Sequence, residues 1–517
     1  MIQEAMWWLT DRVHRQAPEN PSPARKKRRY DGAAGSRFLA DFIGSTTSAD
    51  AELQYSLRRI RDRARELCRN DDYARRYLQL MSANVIGEHG FQLQSRARNL
   101  NEPNVGELDA AGNEIIERAW KRWGKRCSAS RKHSWLDLQR LVIQGLCRDG
   151  EILIRFVRGK KWTNGLALQI LEPDYLDEEY TTTAPEGKRI VMGVELDEFD
   201  APVAYYLKLG QGHPFDTFGQ RRSDKRTRVP AEDILHIYLP DRAQQTRGVS
   251  WFASAMTRMR ILSGYEEAEL IAARTAAAKM GFLVSPDGEG FIGDESADGN
   301  QIMSGEPGSI QQLPAGMQFQ EWNPSHPTSA YAEFHKGILR GIASGLGISY
   351  TSLSNNLEGV SYSSIRQGAL EERDLYRQLQ SFLIQHLCEP VAQEWLKMSM
   401  TSGSIPIPIT RYDKFSNTLD FRGRGFSWID PAKEIRAEVE AVRNGFKSLN
   451  DVARQYGRDV EEVFQQMQAD KEMAERYGIS LAFEPLGTPH SPTHPEGADV
   501  YRPETFVDVA EEDAKDD

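Results

Sequence analysis

The chain is poor in cysteine: 517 residues carry only Cys68, Cys127, Cys147 and Cys388. No two of them form a CxxC pair, which excludes a zinc finger and a disulfide scaffold. Long apolar runs are missing too. Hydrophobic residues make up 39% and charged residues 27%, and no stretch is greasy enough to span a bilayer. Residues 1–9 are interrupted by Glu4 and followed by Asp11 and Arg12, without the basic and apolar blocks of a signal peptide. The expectation is an intracellular soluble protein with no membrane partner. There is no GxxxxGK[ST], HExxH or GxSxG, which argues against an ATPase motor, a zinc protease and a hydrolase elbow. Positive balance is lacking as well: the net charge is −10, whereas proteins that grip DNA through its phosphates are usually basic.

What is present begins with length, enough for three or four units of ordinary domain size. The charge is unevenly spread. Arg25, Lys26, Lys27, Arg28 and Arg29 lie in a Pro/Ser-flanked N-terminal arm, and the C-terminal end is acidic from Glu511 to Asp517. Such end blocks read as solvated tails, with contact to nucleic acid or a scaffold partner as the sharper alternative for the basic arm.

Residues 1–16 read as a short amphipathic helix and the stretch to about residue 50 as a flexible arm. Leu53, Leu57, Ile60, Ala64 and Leu67 recur at helical spacing, with Arg58, Arg59, Arg61, Arg63 and Arg65 read as a solvated face. A second helix ends near Gly87, and residues 91–94 look like a strand. From 114 to 147 the pattern is helical, with Trp120, Trp123 and Trp135 as core anchors. Strands are expected over 152–157, 166–171, 203–207 and 234–238, making 51–250 one α+β domain. A helix follows over 251–281 with Ser250 as its cap, alanine-rich in its later half. Residues 282–327 are strand-poor and punctuated by Gly and Pro. Further helices are expected over 328–346 and from about 362 to 402, the latter kinked at Pro390. Asp430-Pro431 is good start chemistry for a separate helical unit over 431–444, 448–456 and 459–476.

Tests for a catalytic site fail one by one. Gly288–Gly293 satisfies GxGxxG, but it lacks a preceding strand and a following helix, so it reads as a loop. Asp294, Ser296 and Asp298 begin a calcium-loop pattern whose twelfth position is Gly305 instead of Glu. His236, Asp241 and Ser250 could be drawn as a triad, yet nothing puts Ser250 on an elbow. Glu195, Asp197, Glu198 and Asp200 could hold nuclease metals, but a solvated turn explains them better. No catalytic residue, metal ligand or cofactor is assigned. Extended helices and a detached helical end instead suggest an elongated, self-assembling subunit without enzymatic activity.

Several stretches, taken in order, resemble the lambda-type portal proteins of tailed bacteriophages. They are Arg69-Asn70, Asn84-Val85-Ile86-Gly87, Arg148-Asp149-Gly150-Glu151 and Leu171-Glu172-Pro173-Asp174. Then come Ile234-Leu235-His236-Ile237, Arg247-Gly248-Val249-Ser250, residues 342–347, Tyr362-Ser363-Ser364-Ile365-Arg366 and Trp428-Ile429-Asp430-Pro431. The resemblance covers about 51 to 480; the His-Gly insertion after Gly87 departs from the usual pattern.

The resemblance implies a mainly helical α+β fold: an elongated portal-type subunit with wing, stem, clip and crown, assembling into a ring, usually of twelve copies. Residues 51–250 and 362–429 would form the wing, 251–281 and 328–348 the stem helices, and 282–327 the clip. Residues 349–361 would be the tunnel loop, 430–476 the crown and 477–517 a flexible acidic tail. Lys336 and Arg340, with the polar Asn355, Asn356 and Glu358 of the loop, are then candidates for the DNA channel. For the two basic residues, pairing with a neighbouring subunit's acids is the equal alternative. Glu289, Asp294, Glu295 and Asp298 are candidates for contact with the packaging motor. The implied partners are other copies of the chain, double-stranded DNA passing without sequence preference, and the large terminase subunit. Capsid, scaffold and head-completion proteins complete the set, at the capsid vertex of the virion and in the host cytoplasm during assembly. A metal-dependent nuclease and a passive head–tail adaptor ring are the competing readings.

Overall fold

The computed structural model describes residues 46–99, 108–183, 187–209, 226–277, 281–284, 294–295, 301–302, 318–321, 331–359, 361–426, 431–456, 458 and 460–479. The first elements are helices α1 (Ala49–Gln54), α2 (Leu57–Asn70) and α3 (Asp72–Met81). Ser48 and Asp71 start α1 and α3 by accepting hydrogen bonds from the Ala51 and Ala74 N–H groups, the capping role their short side chains suit. A π-helical turn, Ser82–Ile86, then ends at Gly87 with φ 75°, a left-handed backbone that favours glycine. Leu53, Leu57, Ala64 and Leu67 are buried as their spacing predicts.

Strand β1 (Gln92–Ser95) leads to α4 (Ala110–Gly124) and α5 (Trp135–Asp149). The helical stretch expected over 114–147 is thus two helices, because Ser134 and Asp137 close a capping box that restarts the second. Trp120 sits at the centre of an aromatic cluster, with ring centroids 4.9 Å from Trp123, 5.5 Å from Trp135 and 5.1 Å from Trp395.

Two sheets follow. Strands β2 (Glu151–Arg158), β3 (Leu166–Leu171) and β9 (Ile234–Tyr238) pair antiparallel in the order β3-β2-β9. Between β3 and β9 the chain makes an antiparallel meander: β4 (Thr182–Thr183), β5 (Arg189–Val191), β6 (Val194–Leu196), β7 (Pro202–Leu207) and β8 (Thr227–Pro230). The stretch read as one α+β domain therefore carries two cores. Alternation along β2 divides them: Ile152, Ile154 and Phe156 join the large helical core, and Leu153 joins the smaller core under the meander. A strand covered on both faces is apolar at consecutive positions, which is why Ile152, Leu153 and Ile154 follow one another without alternation.

The first long helix, α6, spans Met256–Ala277, later than expected. Ser250 does not cap it: its hydroxyl donates to the Cys147 carbonyl and accepts from the Phe252 N–H, so residues 251–255 turn before the helix begins. Beyond it β10 (Gly281–Val284) pairs with β13 (Gln318–Glu321), and β11 (Asp294–Glu295) with β12 (Gln301–Ile302). The GxGxxG stretch lies outside the described residues. Helix α7 (Tyr331–Leu346) returns, and the expected loop after it contains a helical turn, α8 (Tyr350–Ser354).

The long helix is α9 (Tyr362–Leu383) and α10 (Glu389–Thr401), joined by a π-helical turn, Ile384–Cys388. Pro390 stands in the first turn of α10, so the wide turn just before it, rather than a kink within regular α-helix, absorbs the missing donor. After α11 (Tyr412–Ser416), β14 (Leu419–Arg422) pairs with β1. Helices α12 (Pro431–Arg443), α13 (Leu449–Gln455) and α14 (Val460–Arg476) close the described chain near the expected bounds. No helix among the described residues is long and apolar enough to cross a membrane.

Candidate functional site

Four of the quoted sequence stretches meet at one buried junction. Glu151, the first residue of β2, accepts from Arg247 at 2.6 Å and 3.0 Å, from Arg61 at 3.1 Å and from the Gly248 N–H at 3.0 Å. Its second oxygen lies 2.8 Å from His236 Nε2. Asp174 accepts from Arg61 at 3.1 Å and Arg65 at 2.6 Å, and Asp149 from Arg65 and Arg148, both at 2.7 Å. Arg61 is 1% exposed and Arg247 0%. The solvated face expected of the α2 arginines is therefore overturned at Arg61 and Arg65, whose guanidiniums turn inward to carboxylates on other elements.

Burial alone would raise the Glu151 carboxyl, but the Arg247 guanidinium and His236 outweigh it and hold it well below the ordinary carboxylate range. Asp174 is shifted the same way: Arg61 and Arg65 overcome its desolvation. The junction uses His236 as a partner of Glu151, so the drawn triad is not assembled; Asp241 meets Gln245 through its backbone N–H. Glu195, expected in a solvated turn, is buried and accepts from Arg228 at 2.7 Å and 2.9 Å. Asp197 accepts from the Phe199 and Ala201 N–H groups and shapes the turn, and Asp200 pairs with Arg189. Among the described residues no three His, Cys, Asp or Glu side chains come together as a metal site.

The junction fixes the root of α6, which lies against α7. Ser254 Oγ donates to the Gly345 carbonyl at 2.9 Å and Arg258 to the Gly341 carbonyl at 3.2 Å. Farther along, His335 Nε2 lies 2.6 Å from Glu266, and Tyr265 stacks on Tyr331 with centroids 5.7 Å apart. The outward sides keep large apolar residues in solvent: Ile261 is 62% exposed, Leu270 71% and Phe334 55%.

Lys336 and Arg340 stand one helical turn apart on α7. Lys336 Nζ is 4.0 Å from Glu333 of its own helix, and the Arg340 guanidinium lies over the Tyr350 ring at 5.7 Å. In the following turn Asn355 takes a left-handed conformation with φ 54°. Asn356 is held within the turn, its Oδ1 accepting from the Glu358 N–H at 2.8 Å, and Glu358 is exposed. Asp294 and Glu295 form β11. Glu289, Asp298 and the basic residues Arg25 to Arg29 lie outside the described residues.

The sequence reading missed the group that positions this turn. Glu372 of α9 accepts from the Ser349 N–H at 2.6 Å and the Ser352 hydroxyl at 2.9 Å, tying the start of α8 to the long helix. Glu372→Ala is expected to strip both partners, at about 1–3 kcal/mol for a donor left unsatisfied. Hydrogen exchange should accelerate at the Ser349–Asn355 amides and stay unchanged in β2 and β3. Unchanged exchange at Ser349–Asn355 would remove Glu372 from this role.

Residues 35–380 match the family model of the phage portal protein, lambda family. The probable portal protein of Halomonas phage phiHAP-1 is 35% identical over 481 residues, covering 90% of this chain and 91% of that one. Portal protein B of Escherichia phage lambda is 24% identical, covering 87% and 90%. The neck of a native GTA particle, a solved structure, is similar at 13% identity and a TM-score of 0.42, covering 82% and 98%.

Proposed function

The chain belongs to the lambda family of phage portal proteins, and from that premise we propose that it is the repeated subunit of a ring at one capsid vertex. DNA is packaged through this ring by the terminase motor and later leaves through it, and head-completion proteins attach to it. The exposed apolar residues Ile261, Leu270 and Phe334 on the paired helices carry this reading. A subunit that buries Trp120, Trp123, Trp135 and Trp395 has no reason to leave these residues in water unless another copy covers them.

In this reading α6 and α7 are the stem, and the β10–β13 region is the clip. The turn around α8 is the tunnel loop, and α12 to α14 form the crown. The role is structural, with no bond made or broken. Lys336 and Arg340 become belts of like charge once repeated around a ring of twelve, enough to guide a phosphate backbone without holding it. Asn355, Asn356 and Glu358 offer a polar surface to sliding DNA. A net charge of −10 suits a conduit, since every tight phosphate contact would have to break at each step of translocation. Asp294 and Glu295, with Glu289 and Asp298, are the acidic residues for contact with a basic surface of the motor. The protein resides in the virion and assembles in the host cytoplasm with capsid and scaffold proteins.

Purified protein should give rings with a central channel in electron micrographs and a native mass of many subunits. Persistence as a monomer at high concentration with scaffold added would defeat the proposal. Magnesium-dependent cleavage of DNA by that monomer would establish the nuclease in its place.

A further inference from the structure

A second basic feature lies on elements other than the channel candidates. A cleft of about 780 Å³ opens between the π-helical turn after α3, helix α5 and the segment that follows β14. Arg140, Arg422 and Arg424 line it, with Gln79, Gln144 and Tyr456 on the same walls. One carboxylate, Glu88, lines it, exposed to solvent. Beside it the guanidiniums of Arg373, Arg377 and Arg424 surround the Phe426 ring at 5.5 Å, 5.7 Å and 5.5 Å.

The manner in which two of these arginines are held sets the cleft apart. Arg61, Arg65, Arg148 and Arg247 are all neutralised by carboxylates. Arg140 instead donates to the Gly87 and Glu88 carbonyls at 3.1 Å and 3.3 Å. Arg424 donates to the Ala83 carbonyl and to Asn84 Oδ1. Neutral acceptors fix a guanidinium without cancelling its charge, and each fork keeps further N–H donors. Arg377 pairs with Asp374 at 3.0 Å, but in a chain with a net charge of −10 the guanidiniums of Arg140 and Arg424, held by neutral groups around one concavity, call for an anion.

We propose that this cleft binds the phosphodiester backbone of nucleic acid. The alternative anion, an acidic peptide, brings backbone N–H donors along with its carboxylates, and guanidiniums, which have no acceptor, leave those donors unmatched. A phosphodiester brings acceptors only, and the N–H donors that Arg140 and Arg424 keep beyond their carbonyl and amide partners match it. The cleft is many times larger than one inorganic phosphate and accommodates a length of backbone. The choice of DNA rests on the portal reading. The division of labour is physical: a channel must release its cargo at every step, whereas guanidiniums held rigidly by neutral acceptors are suited to hold DNA that is not moving.

The test uses the full-length ring, a fluorescent blunt DNA duplex and a salt series. Arg140→Gln is expected to weaken binding about tenfold, the size of one charge-assisted hydrogen bond, and to reduce the salt slope by about 1. Arg140→Lys should keep the slope. Gln79→Glu places a carboxylate on an exposed wall without touching any arginine and should also weaken binding. DNA should slow hydrogen exchange at residues 87–90 and 423–425. Rings whose affinity and slope are unchanged by Arg140→Gln and Gln79→Glu would overturn the inference and leave the portal reading intact. Polyglutamate that displaces the duplex and protects the same amides at equal charge would assign the cleft to acidic peptide instead. Native mass reports separately on assembly, and a protein that never forms rings would overturn both.

Discussion

Replacing Glu151 with alanine should lower the unfolding free energy by about 3–5 kcal/mol, the cost of removing one partner from a buried ion pair. The side chain is fully buried and holds Arg247, Arg61, His236 and the Gly248 N–H at once. Its loss leaves two guanidiniums, themselves out of water, facing a cavity. Glu151→Gln should recover part of the loss, because it still accepts hydrogen bonds but no longer balances charge. Acid provides a second readout. In the folded chain the carboxyl is held well below its ordinary value, which is about 4.3 in an unfolded chain. Its contribution is therefore complete above about pH 5 and declines as pH falls through 4 toward the folded value. The gap in unfolding free energy between wild type and Glu151→Gln, read from urea titrations, should be constant near neutrality and narrow in acid. A gap below about 1 kcal/mol at pH 7, or one that does not narrow, would mean that the junction does not anchor the fold.

The sequence showed the helices better than it showed this junction. Apolar spacing placed Leu53, Leu57, Ala64 and Leu67 on one buried stripe, and the tryptophans of α4 and α5 at the core. Caps and prolines gave the bounds of α12 to α14 within a residue or two. The same spacing held an unread signal: Arg61 lies four residues after Leu57 and three before Ala64, within the stripe itself. An arginine on an apolar face implies carboxylates across from it, but these come from Glu151 and Asp174, about a hundred positions away. Local pattern cannot say which acids a fold will bring. Glu195 was misread for the same reason. It stands between buried Val194 and Leu196, and only the meander brings Arg228 beside it. The π-helical turns were equally hidden, since one extra residue per turn leaves no mark in composition. Of the channel candidates, the residues were legible as polar or basic positions near a loop. Glu372, which holds that loop, was not legible, because its partners lie in a different helix.

Gly248→Ala and Gly150→Ala should each destabilise the chain by about 3 kcal/mol or more, through overpacking that the surroundings cannot relieve. A Cβ on Gly248 would lie 2.2 Å from the Gly150 carbonyl oxygen, and one on Gly150 would lie 2.2 Å from the Val249 carbonyl carbon. Both obstacles are backbone, so relief requires parting the two segments, which also draws Arg247 away from Glu151. Gly150 carries a further cost, since its φ of 88° is a left-handed conformation that L side chains resist by about 1–2 kcal/mol. Gly264→Ala is the control: it lies inside α6 with no heavy atom within 4 Å of the added methyl. Helix propensity alone should make it more stable by about 0.8–1 kcal/mol. Chemical denaturation of the three variants separates the cases, and a Gly248→Ala protein as stable as Gly264→Ala would contradict the contact. The same two glycines set the point at which α6 leaves the sheet. A variant that still folds carries a shifted helix root, and in a ring that shift recurs in every subunit. Closure requires the interface angles to sum to a full turn, so Gly248→Ala rings should be malformed or open in electron micrographs even where the single subunit remains folded.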